Sequence, residues 1–248
     1  MLKARVIPIL TFNGFGLVKT KQFDNPRMVG NPVQSARVYN SRGVDELIFL
    51  DITASKQKRK INFKLVADVI KECYMPIGIG GGIETIADIN NLLKIGADKV
   101  VIKTKAIFDK DFIRNAVRFF GSQCISISID VKKKGDAYEI YHPGVEGLDV
   151  IEFIKEMESI EVGEFVLNSV DRDGMMSGFD IDLVNLVLAA TQLPVIVVGG
   201  GGEPEHYADL FTQSETFAVG SASIFHFTQY TPLDIKRTLA EIKLPVRI

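Results

Sequence analysis

Val44-Asp-Glu-Leu-Ile-Phe-Leu-Asp51 is answered 118 positions later by Val162-Gly-Glu-Phe-Val-Leu-Asn-Ser169. Each stretch is an apolar run entered through a glutamate and closed by a polar side chain. That is the pattern of a strand buried on both faces with a functional group at its end. The correspondence continues along the chain. Pro76-Ile-Gly-Ile-Gly-Gly-Gly-Ile-Glu84 returns as Pro194-Val-Ile-Val-Val-Gly-Gly-Gly-Gly-Glu203, with Gly80 and Gly199 offset by 119, and Ala106-Ile-Phe108 matches Ser223-Ile-Phe225 at 117. A drift of one or two positions is what changed loop lengths leave in a duplicated unit.

Short apolar runs alternate with helical patterns through both copies. The strand-like runs are Val6–Leu10, Leu47–Leu50, Pro76–Ile79, Lys99–Ile102, Cys124–Ile129, Glu164–Leu167, Pro194–Val198 and Phe217–Val219. Between them, Phe63, Val66, Ala67 and Ile70 carry helical spacing, as do Leu183, Leu186, Val187 and Ala190. Ile86, Ile89 and Leu93 fit more coarsely, as do Phe112, Ala116 and Phe119, while Thr231-Pro232 reads as an N-cap and first turn, with Ile235, Leu239 and Ile242 on the inner face. Eight βα units predict a (β/α)8 TIM barrel over residues 1–248, a single domain built from two duplicated half-barrels. A doubly wound open sheet is the competing architecture, and the repeat of four units plus four favours the barrel.

The composition sets bounds on function. A hydrophobic content of 46% in 248 residues is enough for one sizeable core, and a formal net charge of −2 argues against nucleic acid or an anionic membrane as partner. No apolar stretch reaches the about eighteen residues of a membrane span. Cys73 and Cys124 have no metal-ligand spacing, and His142, His206 and His226 are dispersed, so neither a metal nor a cofactor is expected. The opening Met1–Leu10 segment reads as a strand rather than a signal peptide, and a reduced, cytoplasmic setting is expected. Two segments exceed what barrel loops need: Thr11 to about Asn31, and Val131 to about Gly147 with Lys132–Lys134 and His142-Pro-Gly144. Each follows the first strand of a half-barrel and reads as a functional segment, or as a surface loop or hairpin.

Functional side chains belong at the C-terminal strand ends of such a barrel. Those ends hold Thr11, Asp51, Gly80–Gly82, Lys103–Thr104, Asp130, Asn168–Ser169 with Asp171 and Asp173, Gly199–Gly202 and Gly220–Ser223. Consecutive glycines allow positive φ and close backbone approach, and their amides before a helical segment favour phosphate. Two sockets are expected: Gly81 and Gly82 with Lys103 and Thr104, and Gly200 and Gly201 with Asp173, Gly174 and Ser223. Together they would clamp a doubly phosphorylated small molecule across the mouth; the alternative is a single phosphate in the second half. Asp130 closes an apolar alternating run and suits acid/base work, but its repeat partner is Thr11, whose hydroxyl cannot shuttle a proton near neutral pH.

These residues resemble the cyclase (HisF) subunit of imidazole glycerol phosphate synthase along almost the whole chain. The resemblance rests on Val44-Asp-Glu-Leu-Ile-Phe-Leu-Asp-Ile-Thr-Ala-Ser55, Gly80-Gly-Gly-Ile83 with Gly96-Ala-Asp-Lys-Val100, and Gly121-Ser-Gln123 to Asp130. It rests equally on Ser169-Val-Asp-Arg-Asp-Gly174 with Ser177-Gly178, and on Ile224-Phe-His-Phe227. The resemblance implies a barrel that takes ammonia from a partner glutaminase of the class I type and joins it to a doubly phosphorylated aminoimidazole-carboxamide ribonucleotide, giving imidazole glycerol phosphate and AICAR. It implies an acid/base role for Asp130 and a place for Lys19 in a mobile loop that closes over substrate; Asp51, Asn168 and Ser169 are substrate-binding candidates from their place at the strand ends. Arg5, Glu46, Lys99 and Glu164 match the charged ring through which ammonia enters, and Asp98 matches the glutaminase docking face. Without the resemblance, that ring reads first as a stabilising salt-bridge cluster.

Four positions depart from the family: Thr11 stands where a second catalytic aspartate is expected, Lys103 replaces an asparagine, and Gly78 and Glu84 also differ. The segment Leu17-Val-Lys-Thr20 through Asn25-Pro26 to Gly30-Asn31-Pro32 resembles a paralogous branch that accompanies a sugar amidotransferase in the acetamidino modification of bacterial surface sugars. In that branch the barrel relays ammonia, and it too lacks the aspartate at the position of Thr11.

Overall fold

The computed structural model describes residues 3–248; Met1 and Leu2 of the expected opening segment lie outside the described residues. In chain order the first half runs β1 (Arg5–Phe12), β2 (Leu17–Lys21), β3 (Asp24–Gly30), α1 (Pro32–Ser41), β4 (Leu47–Asp51), α2 (Phe63–Ile70), β5 (Ile77–Gly80), α3 (Ile86–Lys94), β6 (Lys99–Ile102), α4 (Thr104–Phe108) and α5 (Lys110–Phe120). The second half runs β7 (Ile125–Lys134), β8 (Ala137–Ile140), α6 (Val150–Ser159), β9 (Glu164–Ser169), α7 (Ile181–Leu188), β10 (Val195–Val198), α8 (Pro204–Gln213), β11 (Ala218–Ser221), α9 (Ser223–Phe227) and α10 (Pro232–Glu241). Parallel pairing passes from β1 through β4, β5, β6, β7, β9 and β10 to β11. It closes where Arg5 to Pro8 pair with Ala218 to Ser221. That last pairing excludes the open sheet: the chain is a (β/α)8 barrel.

The barrel strands are buried on both faces, which is why each reads as a continuous apolar run. Ile7, Ile9, Ile48, Val101, Val166, Ile196 and Ala218 fill the interior as one cluster, with Leu50 and Val198 packed against it. The alternate residues, among them Val6, Leu10, Leu47, Phe49, Ile79, Val100 and Phe165, form the larger layer between strands and helices. Strand alternation then fixes what meets the inside above and below that cluster. Arg5, Glu46, Lys99 and Glu164 fall at the floor, and Thr11, Lys103, Asp130 and Asn168 at the mouth.

Local signals set the helices. Asn62, Asp149 and Asp180 accept first-turn amides at the starts of α2, α6 and α7, and Thr85 with Asp88 and Thr231 with Asp234 form capping boxes at α3 and α10. Three expected inner-face residues fall elsewhere. Leu186 and Phe119 are exposed, and Ile242 is the exposed C-cap of α10; the buried stripes are Leu183, Val184 and Val187 in α7 and Phe112, Ile113 and Ala116 in α5. Ala190 lies beyond the end of α7, so the apolar spacing there overruns the helix itself.

The two long segments are hairpins. β2 and β3 pair antiparallel, and Phe12 of β1 pairs with Leu17 of β2, so the first hairpin grows out of a barrel strand. β7 runs ten residues, clears the barrel rim and turns at Gly135 to pair Lys132, Lys133 and Lys134 with Glu139, Tyr138 and Ala137. No helix of the described residues is long and apolar enough to cross a membrane.

Candidate functional site

Asp130 points inward because it continues the alternation of Ser126 and Ser128 along β7. It is buried, accepts a hydrogen bond from Lys103 Nζ at 2.6 Å on Oδ2, and accepts a longer one from Asn168 Nδ2 at 3.3 Å on Oδ1. These three side chains come from β7, the residue after β6, and β9, and only barrel closure brings them together. Thr11, the repeat partner of Asp130, is engaged elsewhere. Its hydroxyl donates to the Val18 carbonyl and rivets the first hairpin to β1.

The loop after β9 holds both hairpins. Asp173 takes Lys19 Nζ at 2.7 Å and the Thr20 hydroxyl at 3.2 Å, and its carbonyl accepts the Gln22 amide at 2.8 Å. Lys19 is therefore a buried strand residue of β2 in this conformation. Asp171 accepts the Lys133 amide through its carboxylate and the Gln22 side chain through its carbonyl. At the hairpin tip Phe23 has φ +66°, a conformation costly for a bulky side chain, and packs edge-on against Tyr141 with ring centroids 5.8 Å apart. The same ring lies 5.9 Å from Lys103 Nζ. The second hairpin brings His142 edge-on to Phe108 at 5.2 Å. Burial holds the His142 imidazole below its ordinary pKa, with the Lys103 charge adding to the shift against opposing contributions from the Pro143 carbonyl and Asp130.

The glycine runs meet the strand ends as expected, and their backbone is constrained by packing. Gly81 sits at φ +109°, and a Cβ there would fall 2.2 Å from the Asp51 carbonyl oxygen. At Gly200, φ is +116° and the corresponding contact is 2.1 Å to the Gly178 carbonyl oxygen. Ser223, expected in the second socket, is buried with its hydroxyl unpartnered. Thr104 opens α4 directly after Lys103, and Gly174 at φ +70° packs on the Thr20 carbonyl.

Two expected substrate positions are otherwise engaged. The Asp51 carboxylate is clamped by Arg59 at 2.6 and 2.8 Å and accepts the Thr53 and Ala54 amides, so it builds the β4–α2 loop beneath the first glycine run. Arg59 lies in the Lys-rich run 56–60 and nothing in its sequence context marks it. Ser169 is a correction: it follows the inward Asn168, so alternation turns it out of the mouth, with its hydroxyl 3.5 Å from Asp180.

At the opposite end of the barrel, the four expected charges close into a ring. Arg5 reaches Glu46 at 2.7 Å and Glu164 at 3.2 Å, and Lys99 reaches Glu46 at 2.8 Å and Glu164 at 2.6 Å. Ser126, which had no sequence signal, adds a hydrogen bond to Glu164 at 2.9 Å. Burial pushes the Glu164 carboxyl up, but Lys99, Arg5 and Ser126 outweigh it and hold the group below its ordinary 4.5. Asp98 is exposed on this face, and its carboxylate accepts the Ile77 amide at 2.8 Å.

The family model described as "Histidine biosynthesis protein" matches residues 5–231. Over its full length the chain is 41% identical to the imidazole glycerol phosphate synthase subunits HisF of Thermococcus onnurineus and of Dehalococcoides mccartyi, covering 99% of each. It is 42% identical, end to end for both chains, to a Campylobacter jejuni protein provisionally named imidazole glycerol phosphate synthase subunit hisF2.

Proposed function

The chain belongs to the HisF family of histidine-biosynthesis proteins, and from that premise we propose that it is the ammonia-using synthase subunit of a two-component glutamine amidotransferase. Its substrate is a small molecule phosphorylated at both ends, as in the cyclase reaction that gives imidazole glycerol phosphate and AICAR. Gly81, Gly82 and Thr104 hold one phosphate, and Gly200, Gly201 and Ser223 the other. The buried, unpartnered Ser223 hydroxyl supports the second socket, since such a group is costly unless something bonds it. Asp130 is the acid/base group between them. The partner is a HisH-like glutaminase docked on the floor beside Asp98, and ammonia crosses the ring of Arg5, Glu46, Lys99 and Glu164 to reach the mouth. The observation that carries this reading is the pairing of full-length HisF similarity with an inward Asp130 set between two glycine runs.

A second reading is favoured by Thr11. Its hydroxyl is tied to a backbone carbonyl, so Asp130 faces no second carboxylate from β1. In this reading the barrel keeps the glutaminase and the ammonia path but relays ammonia to a sugar amidotransferase for the amidination of a surface sugar. Ammonium-dependent turnover of the doubly phosphorylated family substrate by the purified chain separates the two. Turnover at millimolar ammonium supports the synthase. Its absence, with turnover restored by Thr11→Asp, supports the relay.

A further inference from the structure

Lys103 stands at the mouth, and its ammonium is committed to Asp130 rather than to the glycine run beside it. Gly80 pairs with Val101, so Gly82 and Lys103 each lie two residues beyond the same paired position, just past the ends of adjacent strands. The Lys103 side chain is one-third exposed (33%) whereas that of Asp130 is nearly closed off (8%), so the ammonium can be approached from the mouth while the carboxylate cannot. An ammonium has three donors, and among the described residues Asp130 is its sole carboxylate partner. The Phe23 ring, which accepts no conventional hydrogen bond, lies 5.9 Å from it.

We propose that Lys103 is a specificity-determining residue whose ammonium passes from Asp130 to a phosphate group seated at the first glycine run, so that the Asp130 carboxylate is released only when that run is occupied. The proposal rests on the two-phosphate reading above. A partly exposed ion pair is held weakly, whereas a phosphate brings up to two negative charges and several acceptor oxygens to the same ammonium. When Lys103 moves, Asn168 Nδ2 still touches Asp130 Oδ1 and keeps the carboxylate oriented. A ligand without a phosphate at this end leaves Asp130 paired and idle. Lys103 thereby ties the readiness of the acid/base group to the charge of the substrate, a coupling that an uncharged side chain cannot supply.

Thermodynamic linkage gives the test. Binding of inorganic phosphate is followed through the Gly81 and Gly82 backbone amides by NMR titration of the full chain, in the natural protein, Asp130→Asn, Lys103→Met and the double variant. Removing the Asp130 charge frees Lys103, so Asp130→Asn is expected to tighten phosphate by about fivefold or more. In the Lys103→Met background the same change is expected to have a clearly smaller effect, because only direct charge repulsion is then relieved. An equal factor in both backgrounds overturns the proposal while leaving the socket intact. No response of either amide in any of the four proteins overturns the two-phosphate reading and this proposal with it. Thermal unfolding checks that each variant is folded, and Lys103→Gln replaces Lys103→Met if the latter is not.

Discussion

Lys103 Nζ and Asp130 Oδ2 meet at 2.6 Å, across neighbouring strands whose paired registers run from Val100 with Ile125 to Ile102 with Ile127. The chain thus pairs the inward Asp130 carboxylate with a cation from just past the end of β6, where Thr11 supplies no second acid. In the proposed reading the chemistry of the mouth turns on that pair, and its consequences are measurable.

In the synthase reading, Asp130→Asn removes the acid/base group without changing shape. The variant's kcat with ammonium is expected to fall by roughly a hundredfold or more. A loss confined to KM would show that Asp130 only binds substrate.

Thr11→Val deletes the bond to the Val18 carbonyl and leaves that acceptor beside an apolar side chain. A cost of about 1 kcal/mol is expected, concentrated in the first hairpin. Hydrogen exchange should quicken at β2 and β3 amides with the barrel strands unchanged; uniform protection across both would contradict the riveting role.

The floor ring predicts an asymmetry. Lys99→Met leaves Glu46 and Glu164, both almost wholly inside the barrel, to share Arg5 as their one cation of the ring, and a loss of about 3 kcal/mol is expected in chemical denaturation. Replacing Lys99 together with Glu164 by apolar residues of similar size should recover much of it. If the double variant were no better than the single, charge imbalance would not be the cause.

Part of the pH dependence of stability should come from His226 and Glu164, whose folded values lie below their unfolded ones. Burial first, and the Lys19 charge second, lower the His226 imidazole from 6.5 to about 4. Glu164 also lies below its ordinary value. For both, the folded state binds the proton less readily than the unfolded chain, so the stabilisation is present above the unfolded pKa and is lost as pH falls through the folded one. Unfolding free energy should therefore decline from about pH 6.5 toward 4, and His226→Gln should flatten that slope by about one proton. An unchanged slope in the variant would reassign the dependence to other groups.

Gly200→Ala sets a Cβ against the Gly178 carbonyl at a positive φ, so it should destabilise the fold whether or not a phosphate ever binds there. Denaturation without any anion is the check. A variant as stable as the natural protein would mean that the fold itself does not require glycine at this position.

The strands were readable because burial on both faces makes each a continuous apolar run, and every barrel strand starts within one residue of its expected position. Their ends were less sharp: the first, expected over Val6–Leu10, runs from Arg5 to Phe12. The hairpins were harder still, since Asp24–Gly30 is almost entirely exposed and no alternation of burial marks it as a strand. The inner stripes of α5 and α7 were misplaced at Phe119, Leu186 and Ala190, because helix spacing gives a face but not the residue at which the packing against the barrel ends.

By itself, the amino-acid sequence determined the (β/α)8 barrel, its duplicated halves and the strand ends that form the mouth. Each is a matter of local periodicity or of a repeat, which is carried along the chain. Only the tertiary structure decided the partners: Lys103 on Asp130, Thr11 on Val18, Asp173 on Lys19, Arg59 on Asp51, and Ser169 turned outward. Those choices depend on which side chains barrel closure and the two hairpins set within a hydrogen bond of one another. Residues 27, 7, 154 and 8 positions apart meet on that account, and no spacing in the sequence distinguishes them beforehand.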